Sequence, residues 1–109
     1  MNGLGREIIY IDDVDAAVNF GQFREGKLNG IASLTSSNGL KYQGYFKDDN
    51  MYGIGKSNSK EGTIYFGEFK DSQKHGKGIL TSHEGTRQKG LFAENKFIQS
   101  DDFDEAILN

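Results

Sequence analysis

The chain has 109 residues, 35% of them apolar, with no cysteine and a formal net charge of -3. A domain of this size cannot enclose a thick globular core, so we expect a thin, stacked architecture. Lysine and arginine are spread along the chain, which argues against nucleic acid as a partner. Without cysteine there are no disulfides, and without an apolar run of about 20 residues there is no membrane span, so we expect a cytoplasmic protein.

Residues 1–18 are predicted to be the second half of a repeat whose first half is absent. Residues 1–5 resemble residues 28–32, and the apolar run at 8–11 is expected to form a strand. The link from this half repeat to the copy that begins at residue 19 is four residues longer than the later links between copies. We therefore expect a longer turn around residues 12–17.

From residue 19 onward the chain repeats with a constant period, and a fixed spacing of this kind is typical of a repeat protein. The predicted copies are 19–41, 42–64, 65–87 and a partial copy at 88–99. In each copy a glycine precedes a phenylalanine by two residues. These pairs are Gly21 and Phe23, Gly44 and Phe46, Gly67 and Phe69, and Gly90 and Phe92.

Each copy is predicted to form two antiparallel strands. Tyr42, Gly44 and Phe46 alternate along the first strand, so one face carries two aromatic rings flanking a gap. The second strand begins with Gly53 and Gly55. Glycine weakens an isolated strand, so we expect close approach here, with each ring packed over the glycines of an adjacent hairpin.

The connections within and between copies carry the residues of tight turns. One column of turn residues lies at the hairpin tips, at Gly26, Asp49, Ser72 and Asn95. The links between copies end in Asn38-Gly39, Glu61-Gly62 and Glu84-Gly85. The fold class that follows is all-β, an elongated meander of antiparallel hairpins with some nine strands spanning roughly 40 Å.

The repeat stops after Ile98, and residues 100–109 form an acidic tail. Ser100 is a candidate cap for a short C-terminal helix whose acidic first turn suits the helix dipole. Phe103 and Ile107 would then share one face. We expect these side chains, with Leu108, either to cover Phe92 and Phe97 in the last repeat or to dock on another protein.

Residues 19–92 resemble the MORN repeat family. The two central copies read YQGYF, GIG, EG and YFGEF, GKG, EG, and the period agrees as well. The outer copies depart from the pattern: Asn19 and Gln88 replace the opening tyrosine, and Ala32 replaces the second central glycine. The resemblance implies protein interaction and scaffolding, often at cytoskeletal structures such as cilia, with phospholipid binding as the alternative. It also leaves open an accessory domain cut from a kinase or methyltransferase.

No residue pattern in the chain supports an enzyme, a cofactor or a metal site. Residues 21–27 satisfy the glycine and lysine positions of a phosphate loop, but Leu28 stands where serine or threonine should bind magnesium. His75 and His83 are the only histidines, too few for a metal centre without cysteine. A column of carboxylates is expected to lie in solvated turns, at Glu25, Asp48, Asp71 and Glu94.

The candidate protein-binding residues are aromatic or lie in the tail. They are Tyr42, Tyr45, Phe46, Tyr52, Tyr65, Phe66, Phe69, Phe97, Phe103 and Ile107. The four in the repeat pattern are expected chiefly to stack, whereas the other rings of the repeats are free for contact. The expected partners are other proteins, as subunits of a larger complex. Unpaired strands at the sheet ends also favour self-association.

Overall fold

The computed structural model describes residues 3–4, 8–11 and 14–108, which form one antiparallel sheet of ten strands and a short 3-10 helix. The strands are β1 (Gly3–Leu4), β2 (Ile8–Ile11), β3 (Val14–Arg24), β4 (Lys27–Ser36), β5 (Lys41–Lys47), β6 (Asn50–Asn58), β7 (Ile64–Lys70), β8 (Gln73–Thr81), β9 (Arg87–Ala93) and β10 (Lys96–Ser100). The 3-10 helix is Glu105–Leu108.

From β3 to β10 each strand pairs with its neighbour in sequence, while β1 and β2 both pair with β3 along the edge opposite β4. The longest dimension is 41 Å. The predicted all-β hairpin meander is therefore confirmed.

The long turn expected at residues 12–17 is shorter than predicted. Ile11 pairs with Val14, and β3 already includes residues 14–17, so most of the extra spacing lengthens the paired strands. Asp12 and Asp13 lie outside the described residues, as do three of the five residues compared with 28–32.

Three hairpins, β3–β4, β5–β6 and β7–β8, contain a bulge at the same repeat position. In the β5–β6 hairpin Gly44 pairs with Gly55 and Phe46 with Met51, so three residues of β6 oppose Tyr45 alone. The central residue of these three, Gly53, has a φ of 77°, a left-handed conformation that favours glycine. Bulges bend and twist the strand that carries them, so the repeated glycine curls the sheet at a fixed interval.

Glycines of successive strands form one cross-strand row. Their Cα atoms pair from strand to strand in the order Gly21, Ala32, Gly44, Gly55, Gly67, Gly78 and Gly90. The buried aromatic residues of the strands share the face of the sheet on which this row lies. We call it the ladder face, and the opposite face the tail face.

The tyrosine rings lie over this row, although not over the hairpin that the sequence predicts. A Cβ on Gly55 would collide with the ring of Tyr42, and a Cβ on Gly78 with the ring of Tyr65. Gly55 belongs to the same hairpin as Tyr42, so the prediction that each ring packs over an adjacent hairpin is wrong. The reason is register: Tyr42 pairs with Ser57, which places Gly55 diagonally beside it.

Candidate interaction surfaces

Six aromatic rings form a continuous ladder across the C-terminal part of the sheet. Neighbouring centroids are 5.0 to 5.4 Å apart, and the ring planes meet at 64° to 88°. This edge-to-face geometry is favourable for aromatic pairs. In order of contact the rings are Phe46, Tyr42, Phe69, Tyr65, Phe92 and Phe97.

The hydroxyl groups of the two ladder tyrosines are also satisfied inside the sheet. Tyr42 donates to the carbonyl oxygen of Tyr45 at 2.9 Å, and Tyr65 donates to that of Glu68 at 2.8 Å. Burial raises the pKa of both phenols well above the ordinary value. Each of these carbonyl groups belongs to the residue opposite the bulge. The hydrogen bond from each tyrosine therefore stabilises the bulge of its own hairpin.

Four of the predicted contact residues are thus packing groups of the sheet. Tyr42, Phe46, Tyr65 and Phe69 are each at most 5% exposed. These four side chains were predicted to contact a partner protein, but their burial leaves very little surface for such a contact. Tyr45 and Tyr52 are exposed, as expected for residues outside the repeat pattern, whereas Phe66 and Phe97 are partly buried.

Beside the ladder a cavity of about 280 Å³ lies along the same face. We call this cavity the trough. Apolar side chains in it come from Leu34, Leu40, Met51 and Phe69. Its other lining residues are Ser36, Asn38, Ser57, Ser72, Lys74 and Asn95.

Lys74 is the cation of the trough. Burial lowers its pKa, because the ammonium group loses water. Its Nζ lies 5.7 Å from the centroid of the Tyr65 ring, and no ion pair of Lys74 occurs within residues 14–108. A carboxylate brought into the trough would therefore meet an unpaired, partly desolvated cation.

Three of the hairpin tips each make two hydrogen bonds to the preceding repeat. At one tip the N–H of Ser72 donates to the carbonyl of Met51 at 3.0 Å, and the N–H of Met51 donates to the Oγ of Ser72 at 3.0 Å. Asp49 makes the same pair of bonds with Leu28, and Asn95 with Lys74. The sequence indicates that these residues form turns, but the clamp was not predicted. The signal was an acceptor side chain that recurs in three of the four copies, where the first copy has Gly26.

The tail packs on the tail face, not over the last strand of the ladder. Phe103 and Leu108 cluster with Ile79, and Ile54 and Phe66 pack against them. The expectation that the tail covers Phe92 and Phe97 is therefore wrong. After Ser100 the chain turns onto the opposite face, and the Phe92 and Phe97 rings pack against each other at 5.4 Å.

Ion pairs fix the tail to β9. Arg87 Nη2 lies 3.1 Å from Glu105 Oε1, and Lys89 Nζ lies 3.2 Å from Asp102 Oδ1 and 3.4 Å from Glu105 Oε2. Lys89 Nζ also lies 5.1 Å from the centroid of the Phe103 ring. The acidic character of the tail thus has a local structural role.

The helix in the tail differs in detail from the predicted one. Ser100 ends β10, and the Oδ1 of Asp104 accepts a hydrogen bond from the N–H of Ala106 at 3.0 Å, so Asp104 is the capping residue. Ile107 is 51% exposed whereas Leu108 is 2% exposed. Phe103 precedes the 3-10 helix, so the spacing of four residues does not put it on one face with Ile107.

The weaker site patterns do not converge on a catalytic centre. Residues 21–27 run from β3 through a hairpin tip into β4, whereas a phosphate loop connects a strand to a helix. His75 and His83 are both exposed. In the part of the chain that the structure describes, no group of three or more histidine or carboxylate side chains could hold a metal ion.

Repeated hairpins, a shared ladder and regular tip clamps define a β-repeat protein whose surfaces are suited to binding. The MORN repeat family model matches residues 20–41 and 65–87. The chain is therefore a MORN repeat protein. A comparison with curated proteins finds no match. MORN repeats are generally associated with interaction with proteins or membrane lipids, and the family consists of binding modules rather than enzymes. No helix among the described residues is long and apolar enough to cross a membrane.

Proposed function

We propose that this chain is a non-enzymatic scaffolding module that holds another protein subunit in the trough of the ladder face. The observation that carries the proposal is the trough itself, a cavity of about 280 Å³ with apolar side chains and one unpaired cation. Sites that combine apolar walls with a few polar groups are the usual form of a binding pocket.

The chemistry of the trough defines what it would accept. An apolar side chain of the partner would contact Leu40, which is partly exposed, above a floor formed by Leu34, Met51 and Phe69. A neighbouring carboxylate would lie beside Lys74. Pairing with a carboxylate offsets the desolvation that lowers the pKa of Lys74, so binding would raise that pKa. An extended segment is the form that presents both groups along the trough.

The same proposal covers location and assembly. Family resemblance favours a cytoplasmic protein at a cytoskeletal structure such as a cilium, and the open strand edges favour self-association. Imaging of a tagged chain in ciliated cells tests the first point. Light scattering after gel filtration, at several concentrations, tests the second, and a monomer at every concentration would contradict it.

Capture from native extract with two charge-reversal variants tests the scaffold proposal. Lys74 and Lys77 lie in the same strand on opposite faces of the sheet, so Lys77→Glu is a matched control for Lys74→Glu. Proteins captured by the native chain should be lost from Lys74→Glu and retained by Lys77→Glu, with both variants folded by circular dichroism. Equal capture by both variants would contradict a role for the trough.

A further inference from the structure

Among the residues that the structure describes, only half of the tail face is covered. The tail shields its C-terminal half, while Phe20, Ile31 and Tyr45 on the N-terminal half are 47%, 45% and 49% exposed. We propose that this uncovered half docks an acidic segment of a partner protein carrying apolar anchors, as the chain's own tail docks on the other half. This surface lies on the face opposite the trough, so it goes beyond the scaffolding function proposed above.

Two cross-strand rows connect the covered half with the uncovered half. The first row of paired residues contains Phe20, Ser33, Gln43, Lys56, Phe66, Ile79 and Lys89. The second contains Ala17, Thr35, Lys41, Asn58, Ile64, Thr81 and Arg87. The two cations that fix the tail, Arg87 and Lys89, are therefore members of the rows that contain Lys41 and Lys56.

The two pairs of basic residues differ in whether carboxylates of this chain bind them. Arg87 and Lys89 are paired with carboxylates of the tail. Lys41 and Lys56 line a shallow cavity of about 190 Å³, and neither makes an ion pair with any residue in the described ranges. Charge complementarity at this cavity therefore favours an acidic partner.

Apolar contact would come from the exposed side chains beside the lysines. Ile31 and Tyr45 are direct cross-strand partners, and Phe20 pairs with Ser33, which lines the lysine cavity. On the covered half of the tail face, Phe103 and Leu108 of the tail provide the corresponding apolar contact. Because this chain's own acidic and apolar segment is already used within the molecule, the occupant we infer is a segment of another protein.

A labelled synthetic peptide with the sequence of residues 100–109 is the probe, titrated by fluorescence anisotropy against the full chain. We expect saturable binding that Lys41→Glu combined with Lys56→Glu weakens at least about tenfold. Ile31→Ser combined with Tyr45→Ser should weaken it similarly. Lys70→Glu combined with Lys96→Glu, a double reversal near the hairpin tips, is the matched control and should leave binding unchanged.

Several outcomes would overturn the inference. A peptide with its carboxylates replaced by amides that binds equally well would remove the charge argument, as would a native chain that binds no peptide. Sensitivity to Arg87→Glu with Lys89→Glu, but not to the changes at Lys41 and Lys56, would mean exchange with the chain's own tail.

Other occupants give distinct results. A concentration-dependent dimer that the Lys41 and Lys56 reversals dissociate would assign the surface to a second copy, and preferential binding of phosphatidylserine vesicles through these lysines would assign it to a membrane. Loss of peptide binding in Lys74→Glu alone would place the peptide in the trough, against this inference but in favour of the scaffold proposal.

Discussion

The Oγ of Ser72 accepts a hydrogen bond from the backbone N–H of Met51 at 3.0 Å, 21 residues earlier in the chain. The backbone of Ser72 has a φ of 64°, in the left-handed region that serine seldom adopts. Both residues of each tip have positive φ, as a type I′ hairpin turn requires. The repeated clamp is therefore what makes a polar side chain, and not only glycine, suitable at this position.

Replacing the clamp residue should separate its two roles. Ser72→Gly keeps the turn but removes the acceptor, whereas Ser72→Asn tolerates the turn and restores an acceptor like that of Asn95. We expect Ser72→Gly to lower the free energy of unfolding by about 1 kcal/mol relative to Ser72→Asn, measured by urea denaturation. Equal stability of the two variants would show that only the turn conformation matters.

The glycine row should not accept a methyl group where a ring covers it. Gly55→Ala places a Cβ against the buried ring of Tyr42, and we expect a loss of about 1 to 3 kcal/mol in urea unfolding. Gly26→Asn is the control, since Gly26 lies at a hairpin tip with a φ of 81°, which asparagine tolerates. Similar losses at both positions would contradict the packing of the ring on bare backbone.

The two ladder tyrosines should make the protein sensitive to alkali. Their pKa values in the folded chain are raised by burial above the ordinary 10.0, so their contribution to stability is complete below pH 10. It is lost as the pH rises above 10, because the unfolded chain ionises first. The double variant Tyr42→Phe with Tyr65→Phe should show a flatter alkaline decline in unfolding free energy. An unchanged decline would mean that other groups control it.

Adjacent residues of the tail should respond differently to the same substitution. Leu108 is buried against the tail face and Ile107 points to solvent, so Leu108→Ser should release the tail and expose Ile79 and Phe66. We expect increased binding of a hydrophobic dye with an unchanged circular dichroism spectrum. Ile107→Ser should resemble the native chain; dye binding by neither variant would show that the tail contributes little cover.

Binding to anionic vesicles should be weak at physiological salt. The net charge is -3, and screening at this ionic strength limits attraction between dispersed lysines and a membrane. Flotation with vesicles containing phosphatidylserine or phosphoinositides measures this. Tight binding would place membrane lipid ahead of protein as the ligand of this chain.

The constant period of the repeat was enough to predict the strands, both kinds of turn and the aromatic ladder, because these features depend on residue types at fixed columns. The partner of each tyrosine ring was not predictable in the same way. Whether Tyr42 lies over Gly55 depends on the register of its hairpin, and the bulge at Gly53 changes that register.

The surfaces were less predictable than the strands. The trough joins residues from turns and strands that only the curvature of the sheet brings together, and curvature results from the sum of several bulges. The tail occurs once, so no second copy shows which face it takes. Phe20 and Ile31 are not among the recurring glycine and aromatic positions of the repeat. Only the pairing of the strands shows that they share a face with Tyr45.

The direction of the tip clamp has a consequence for synthesis on the ribosome. The N–H of Leu28 donates a hydrogen bond to the side chain of Asp49, and the N–H of Met51 donates one to the side chain of Ser72. In each case the acceptor lies 21 positions later in the chain. A newly made hairpin therefore leaves the tunnel without the protein acceptor for one N–H group near the start of its second strand, and the next hairpin supplies it. The last hydrogen bonds of a repeat thus form only after the repeat that follows it has been translated.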